Sequence, residues 1–371
     1  MVTKTKASNK DLFDDVINNG LCTLCGACSG GCPYILPYKG RIALLDNCVL
    51  PEGQCYEYCP RTYTDLDALS RKLFENPYSS NELGHFKEIF IARSTNPVIR
   101  TKAQYGGTVT ALLETAMEAK IIDAAVLSKM SENKTPQAVL VKNKKDLLKC
   151  AGSNYMVCPN IFAYNNQPKD SKTKVAVVTT PCQGMAIAKM KANAPRNRVN
   201  IDNVKLVIGL FCTWALSPDE FHSYLEKSLK LSGVIKFDIP PPPANRFDAY
   251  TAKGKTSFPL EDIRKFIMPG CSMCADMTSE FADISVGAVE GLEGWNTVIV
   301  RSKAGDDLLR IARAKGKLET DKLRPENLAH LKEAAMIKKK RALNNIINKT
   351  GSKKDLLYLG MPQSVVDKIL D

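Results

Sequence analysis

No stretch of this 371-residue chain is apolar enough to cross a bilayer. The longest apolar run, around Leu206–Leu216, falls far short of the roughly 20 residues that a spanning helix needs. The N-terminus, MVTKTKASNKDLFDDV, lacks the apolar core of a signal peptide. Aromatic residues make up only 7% of the chain, and no basic stripe is interleaved with them. The formal net charge of +13 therefore carries no nucleic-acid signature; it suits an acidic protein partner or an anionic coenzyme equally well. Long repeats are missing, and the one low-complexity tract, Pro240–Pro243, reads as an extended bend. What remains is a chain that is 44% hydrophobic and 25% charged, which excludes disorder and suggests one large domain plus a small one. The expectation is a cytoplasmic protein with no membrane span and no nucleic-acid partner.

The chain is rich in cysteine, with 13. An odd count gathered into C-x-x-C units argues against a secreted disulfide scaffold and for metal ligation in a reducing or anaerobic setting. Residues 22–33 read CTLCGACSGGCP. This is Cys22-x2-Cys25-x2-Cys28-x3-Cys32-Pro33, the spacing of bacterial ferredoxins. Three thiolates on one tight loop reach three corners of a cubane, and the fourth cysteine serves a second cluster. Gly26, Gly30 and Gly31 let the backbone wrap closely. A second half follows as Cys48…Cys55-x3-Cys59-Pro60, with Cys28 to Cys55 and Cys32 to Cys59 each 27 residues apart. That duplication assigns Cys22, Cys25, Cys28 and Cys59 to one four-iron cluster.

The second half is incomplete. At the same offset Cys22 falls on Val49 and Cys25 on Glu52, leaving Cys32, Cys48 and Cys55 with one corner open. The readings are a three-iron cluster, a four-iron cluster completed by an oxygen ligand such as Glu52, or no cluster with Cys48 merely packed.

Residues 1–69 are thus expected to form a ferredoxin-like iron–sulfur domain. A polar linker is expected at 70–88, a large α/β domain over 89–345 and a helical tail over 346–371. In the large domain, strands are expected at Ile89–Ala92, Ala124–Ser128, Val175–Thr179 and Lys205–Phe211. Helices are expected at Gly107–Ala119, Gln183–Lys191 and Pro218–Leu229. The alternation predicts a mostly parallel sheet covered by helices. Cys182 and Cys212 then follow two strands, at the carboxyl ends where α/β proteins place their sites. With Cys271-x2-Cys274 they make four thiolates. Their spacing fits a third iron–sulfur cluster, structural zinc or packed thiols, and the neighbouring ferredoxin segment favours the cluster. Cys150 and Cys158 read as packed thiols. Gly106 and Gly107 precede a helix start that would leave room for a pyrophosphate, with Thr108 as its cap, though two glycines there are more often just a turn.

Several stretches together resemble the family of coenzyme F420 hydrogenase/dehydrogenase beta subunits: Ala103–Leu113 (AQYGGTVTALL), Gly152–Tyr155 (GSNY), Val175–Gln183 (VAVVTTPCQ), Ile208–Cys212 (IGLFC), Cys271–Gly287 (CSMCADMTSEFADISVG) and Trp295–Arg301 (WNTVIVR). The family includes beta subunits of F420-reducing hydrogenase, input subunits of F420H2 dehydrogenase and 7-hydroxymethyl chlorophyll a reductase. The resemblance implies an FAD-binding α/β domain, with Gln104, Gly106, Gly107, Thr108, Ser153 and Asn154 against the flavin. It also implies a four-iron cluster on Cys182, Cys212, Cys271 and Cys274. Tyr105, Thr180 and Ala288 depart from the family pattern. The implied cofactors are FAD and two or three 4Fe–4S clusters, the second alternatively 3Fe–4S. The implied activity is electron transfer between a hydride carrier, coenzyme F420, and other subunits of a hydrogenase, formate dehydrogenase or heterodisulfide-reductase type complex. The alternatives are a reductase linked to ferredoxin or another organic substrate, and a non-catalytic electron-transfer protein within a larger redox complex.

Overall fold

The computed structural model describes residues 8–79, 82–168, 170–193, 200–240 and 244–371, so Pro241–Pro243 of the proline tract lie outside it. The N-terminal part carries a hairpin, β1 (Ile35–Tyr38) and β2 (Arg41–Leu44), between its two cysteine-bearing stretches. A short helix, Gln54–Glu57, holds Cys55, and β3 (Thr64–Asp65) leads into helix Leu66–Phe74.

The large sheet is built from β4 (Glu88–Ser94), β5 (Ala124–Met130), β6 (Pro136–Val141), β7 (Val175–Thr179), β8 (Val204–Leu210), β12 (Ile284–Ala288), β13 (Asn296–Val300) and β14 (Leu318–Asp321). Its order is β14-β4-β13-β12-β8-β7-β5-β6. The centre, β12-β8-β7-β5, is parallel, and β4 runs in the same direction. β13, β14 and β6 oppose them.

Central strands buried on both faces need continuous apolar sequence, and β7 (VAVVT) is buried at every position. Alternate side chains of β7 and β8 serve different faces. Ala176, Val178, Leu206 and Ile208 pack with Leu112 of helix Thr108–Glu118 and Leu308 of helix Lys303–Ala314. Val175, Val177 and Val207 pack with Ile187 and Met190 of helix Pro181–Ala192. The result is a helix–sheet–helix sandwich, with β7 and β8 side by side at its centre.

A smaller antiparallel sheet, β9 (Val234–Asp238), β10 (Arg246–Thr251) and β11 (Gly254–Pro259), sits in order β11-β10-β9. Phe221, Phe237 and Phe247 meet against it with ring centroids 5.3–6.4 Å apart.

Two expected boundaries fall elsewhere. Residues 70–74, expected to open the linker, complete helix Leu66–Phe74. Helix Pro325–Thr350 runs through position 345, because Ala342, Leu343 and Ile346 keep it against the core until Gly351 adopts a φ of 71°. The tail beyond it is helical only at Gln363–Leu370, and β15 (Leu359–Gly360) pairs in parallel with β3. Leu12, Val16 and Ile35 share one core with Leu356, Val366 and Ile369, so the two ends of the described chain bury each other's apolar surface.

Candidate functional site

Cys22, Cys25, Cys28 and Cys59 ring one cavity of about 300 Å³ together with Arg61. Burial, and then mutual repulsion, pushes the Cys25 and Cys28 thiols well above the ordinary range, and pushes Cys22 up to about 12. The backbone N–H two residues on points at the sulfur: Leu24 at Cys22 and Arg61 at Cys59, each 3.4 Å away. Such N–H···S contacts favour a thiolate over a thiol.

The second set is thinner. Burial raises Cys55 to about 12, and the charges of Cys32 and Cys48 add to the effect. Leu50 N–H stands 3.4 Å from Cys48 Sγ, the same i+2 contact as at Cys22 and Cys59. Glu52 is exposed, and Val49 and Leu45, earlier on the same stretch of chain, are 95% and 64% exposed. Cys28 also feels Cys55, so the second set adjoins the first.

Cys182 lies in the first turn of helix Pro181–Ala192, directly after β7, and Cys212 lies two residues beyond β8. Since those strands are parallel neighbours, both thiols stand at carboxyl ends, as the sequence predicts. The turn Pro269–Met273 brings up Cys271 and then Cys274. Burial raises Cys212, and the charges of Cys271, Cys182 and Cys274 raise it further. Cys274 differs: burial would raise it, but the cations of Lys338 and Arg61 hold it below the usual thiol range. This set touches the first. Cys182 repels Cys22 and Cys25, and Gly270 lies so close that a Cβ there would come within 2.7 Å of the Cys22 carbonyl oxygen. Cys150 and Cys158 stand apart, each raised to about 11 by burial.

The donor chemistry fits clusters. Three buried cations stand among the thiols. Arg61 is 4% exposed, Lys338 3% and Lys189 6%. Lys338 Nζ donates to the Cys212 carbonyl at 2.6 Å, and Lys189 Nζ to that of Cys59 at 2.8 Å. Burial works against the Arg61 charge, and the thiolates of Cys274, Cys182 and Cys271 outweigh it, holding the guanidinium above its ordinary range. A buried cation without a counter-charge is strongly destabilising, and the groups placed to offset these three are cysteine sulfurs.

Sequence reading missed these cations, because charged residues default to the surface. Their one legible signal is the adjacency of Arg61 to Cys59-Pro60.

The expected flavin contacts divide. Gln104, Ser153 and Asn154 are half-buried, and their two stretches meet on one carboxylate. Gln104 Nε2 donates to Asp238 Oδ1 at 2.6 Å, and the Tyr155 hydroxyl approaches the same oxygen at 3.5 Å. Gly106, Gly107 and Thr108 are buried, and the expected cap is corrected. Gly107, with φ 75°, is the cap residue, while Thr108 is already helical. The Thr108 hydroxyl donates to Asn296 Oδ1 at 2.9 Å, and Thr108 N–H faces that oxygen at 3.4 Å. A Cβ on Gly106 would meet Asn296 Oδ1 at 2.8 Å, and one on Gly107 would meet Ile99 Cγ2 at 2.7 Å. The space on the Cβ side of these glycines is therefore filled by protein, with Asn296 against the helix start. A second cavity, of about 400 Å³, lies between Arg61, Tyr78, Cys182, Cys274, Glu280 and Tyr358.

Comparison with known proteins gives a consistent picture. The family described as "Coenzyme F420 hydrogenase/dehydrogenase, beta subunit" matches in two parts, its N-terminal region over residues 89–165 and its C-terminal region over residues 172–326. The chain is 30% identical over 338 residues to the coenzyme F420-dependent sulfite reductase of Methanocaldococcus jannaschii, a match covering 86% of this chain and 51% of that protein. It therefore spans about half the length of that relative. It is 32% identical over 271 residues to the beta subunit of coenzyme F420 hydrogenase from Methanothermobacter thermautotrophicus, covering 71% of this chain and 95% of the relative. Identity to one subunit of the F420H2 dehydrogenase of Methanosarcina mazei is 28% over 307 residues, covering 81% and 84%. A chain in a structure of the F420-reducing NiFe hydrogenase complex from Methanosarcina barkeri superimposes with a TM-score of 0.66 at 30% identity, covering 74% of this chain and 96% of that one.

Proposed function

Because the chain belongs to the family of coenzyme F420 hydrogenase/dehydrogenase beta subunits, we propose that it is an iron–sulfur flavoprotein passing electrons between coenzyme F420 and a partner redox protein. The observation that carries the iron–sulfur part is the buried Arg61, whose strongest counter-charges are all cysteine thiolates. Relatives named for F420-linked hydrogenase, dehydrogenase, sulfite reductase and formate dehydrogenase support the F420 part.

In this reading Cys22, Cys25, Cys28 and Cys59 hold one cluster, and Cys182, Cys212, Cys271 and Cys274 hold another. The second set, Cys32, Cys48 and Cys55, holds one more, with its last corner open. Gln104, Ser153 and Asn154 contact FAD. Bound flavin can exchange two electrons with a hydride carrier and one at a time with iron–sulfur centres, which is the conversion that such a protein needs. The protein's own part is placement. The first set adjoins both others, giving a series that ends at the second set, beside exposed Leu45 and Val49, where a partner protein can approach. No helix among the described residues is long and apolar enough to cross a membrane.

The test is anaerobic stopped-flow spectroscopy of the purified protein mixed in turn with reduced F420, NADH, NADPH and reduced ferredoxin. Bleaching of the flavin by reduced F420 supports the proposal. Bleaching by ferredoxin alone refutes it in favour of a ferredoxin-linked reductase.

A further inference from the structure

Arg61 occupies a position that the family resemblance does not explain. It is the one charged residue lining both the cavity ringed by Cys22, Cys25, Cys28 and Cys59 and the cavity beside Cys182 and Cys274. Its backbone N–H points at Cys59 Sγ. One guanidinium nitrogen, Nη2, donates to the Gly270 carbonyl at 3.1 Å, on the loop that carries Cys271. The other, Nη1, donates to the Tyr358 hydroxyl, whose own proton goes to the Met273 carbonyl at 2.7 Å. The Tyr358 ring lies under the guanidinium at 4.5 Å. The fork is thus clamped from the C-terminal tail and from the Cys271–Cys274 loop, and cannot swing to solvent. Its Nε–H is buried with no oxygen or nitrogen partner, on a side chain that lies within hydrogen-bonding reach of the Cys274 sulfur. A buried donor left unmade is costly, and both cavities that Arg61 lines are bounded by cysteines.

We propose that Arg61 links the first and third cysteine sets electrostatically: it holds positive charge between them and presents Nε–H to a sulfur atom of the cluster that one of them binds. This rests on the iron–sulfur reading of the two sets. A fixed cation favours the more negative, reduced form of an adjacent centre. One guanidinium therefore raises the reduction potentials of both neighbours and keeps them matched for transfer between them. Arginine suits the role, because it stays charged at any working pH and its planar fork can be clamped while one N–H stays available. The second set, Cys32, Cys48 and Cys55, does not line either of the cavities that Arg61 lines, and its potential is independent of Arg61.

The experiment compares wild type, Arg61→Gln and Arg61→Lys, purified anaerobically. Iron content is measured first, and then the clusters are titrated against potential by electron paramagnetic resonance. In Arg61→Gln the reduced-to-oxidised ratio of two clusters at fixed potential falls at least tenfold, a shift of about 59 mV for a one-electron couple. The third signal stays put. Arg61→Lys recovers most of the shift, since it restores charge without Nε. Full iron with all potentials unmoved in Arg61→Gln overturns the proposal. So does loss of iron in both variants, which would make Arg61 a structural clamp only. An iron-free wild type would sink the cluster reading itself, a result distinct from either.

Discussion

Replacing Cys274 with Ser tests the ligand assignment directly. Cys274 is buried and belongs to the set at the carboxyl ends of β7 and β8. Three complete or nearly complete sets correspond to about 11–12 irons per chain by ordinary cluster stoichiometry, so losing one set removes about four. The substitution also strips a counter-charge from Lys338 and Arg61. Breaking a buried pair by removing one partner costs about 3–5 kcal/mol, so the variant is less stable as well as poorer in iron. Iron is therefore counted per folded molecule, after anaerobic gel filtration, with sulfide assayed alongside. The control is Cys158→Ala. Cys158 is as buried, at 7% exposure, but its thiol is raised by burial alone and has no cysteine beside it. It keeps all its iron and loses about 1 kcal/mol of stability, an ordinary core substitution. Equal iron loss from both substitutions, or full iron in Cys274→Ser, would refute the assignment, and zinc in place of iron would refute the chemistry.

The second set, with thiols only from Cys32, Cys48 and Cys55, is expected to show a three-iron resonance in the oxidised protein. Two intact four-iron signals from the N-terminal sets would instead indicate an oxygen ligand, and Glu52→Ala would then convert one of them. Gln104→Ala removes a polar contact on the open face that includes Ser153 and Asn154, so bound FAD weakens about fivefold, the equivalent of one hydrogen bond of about 1 kcal/mol, with iron unchanged; unchanged flavin affinity places the isoalloxazine or its tail elsewhere. Glu280→Gln strands Lys339, whose ammonium pairs with Glu280 in the core at 1% exposure. The expected loss is about 3–5 kcal/mol, against less than about 0.5 kcal/mol for Ile337→Ser on the exposed face of the same helix, measured by thermal and denaturant unfolding.

The central strands were legible because burial on both faces leaves one sequence signature, and Val175–Thr179 carries it without interruption. Cys182 and Cys212 were legible for the same reason, since a thiol just after such a strand has one place to be. The small sheet was not. β11 reads GKTSFP, and only Phe258 of its six residues is buried, so no alternation marks it as a strand. The run Lys338–Lys339–Lys340–Arg341 is four consecutive cations. In the structure the helix turns Lys338 and Lys339 inward, to 3% and 1% exposure, and leaves Arg341 exposed. Periodicity alone would have placed two of the four inside, but the usual cost of burying charge argues against it until the thiolates and Glu280 are in view. Gly106 and Gly107 signal a close approach, and on their Cβ side it is made by Asn296 and Ile99, which sequence spacing could not name.

The inward cations also change what the net charge means. The +13 is a sum over the sequence, and a sum over the sequence treats every lysine and arginine as available to attract an anionic coenzyme or an acidic protein. Arg61, Lys189 and Lys338 are not available; they are buried among cysteines. Filling the cysteine sets adds further negative charge to the same interior. The field at the surface is therefore weaker than +13 suggests, and long-range steering is a smaller part of partner choice than composition implies. In the proposed function, choice between a deazaflavin and a protein donor then falls to contacts at short range: at the bound flavin for a small molecule, and at the exposed Leu45 and Val49 near Cys48 in the chain for a protein. These surfaces lie on different parts of the fold, one on the α/β sandwich and one on the N-terminal segment. A protein with both can take electrons from one kind of partner and deliver them to the other without the two competing for a single site.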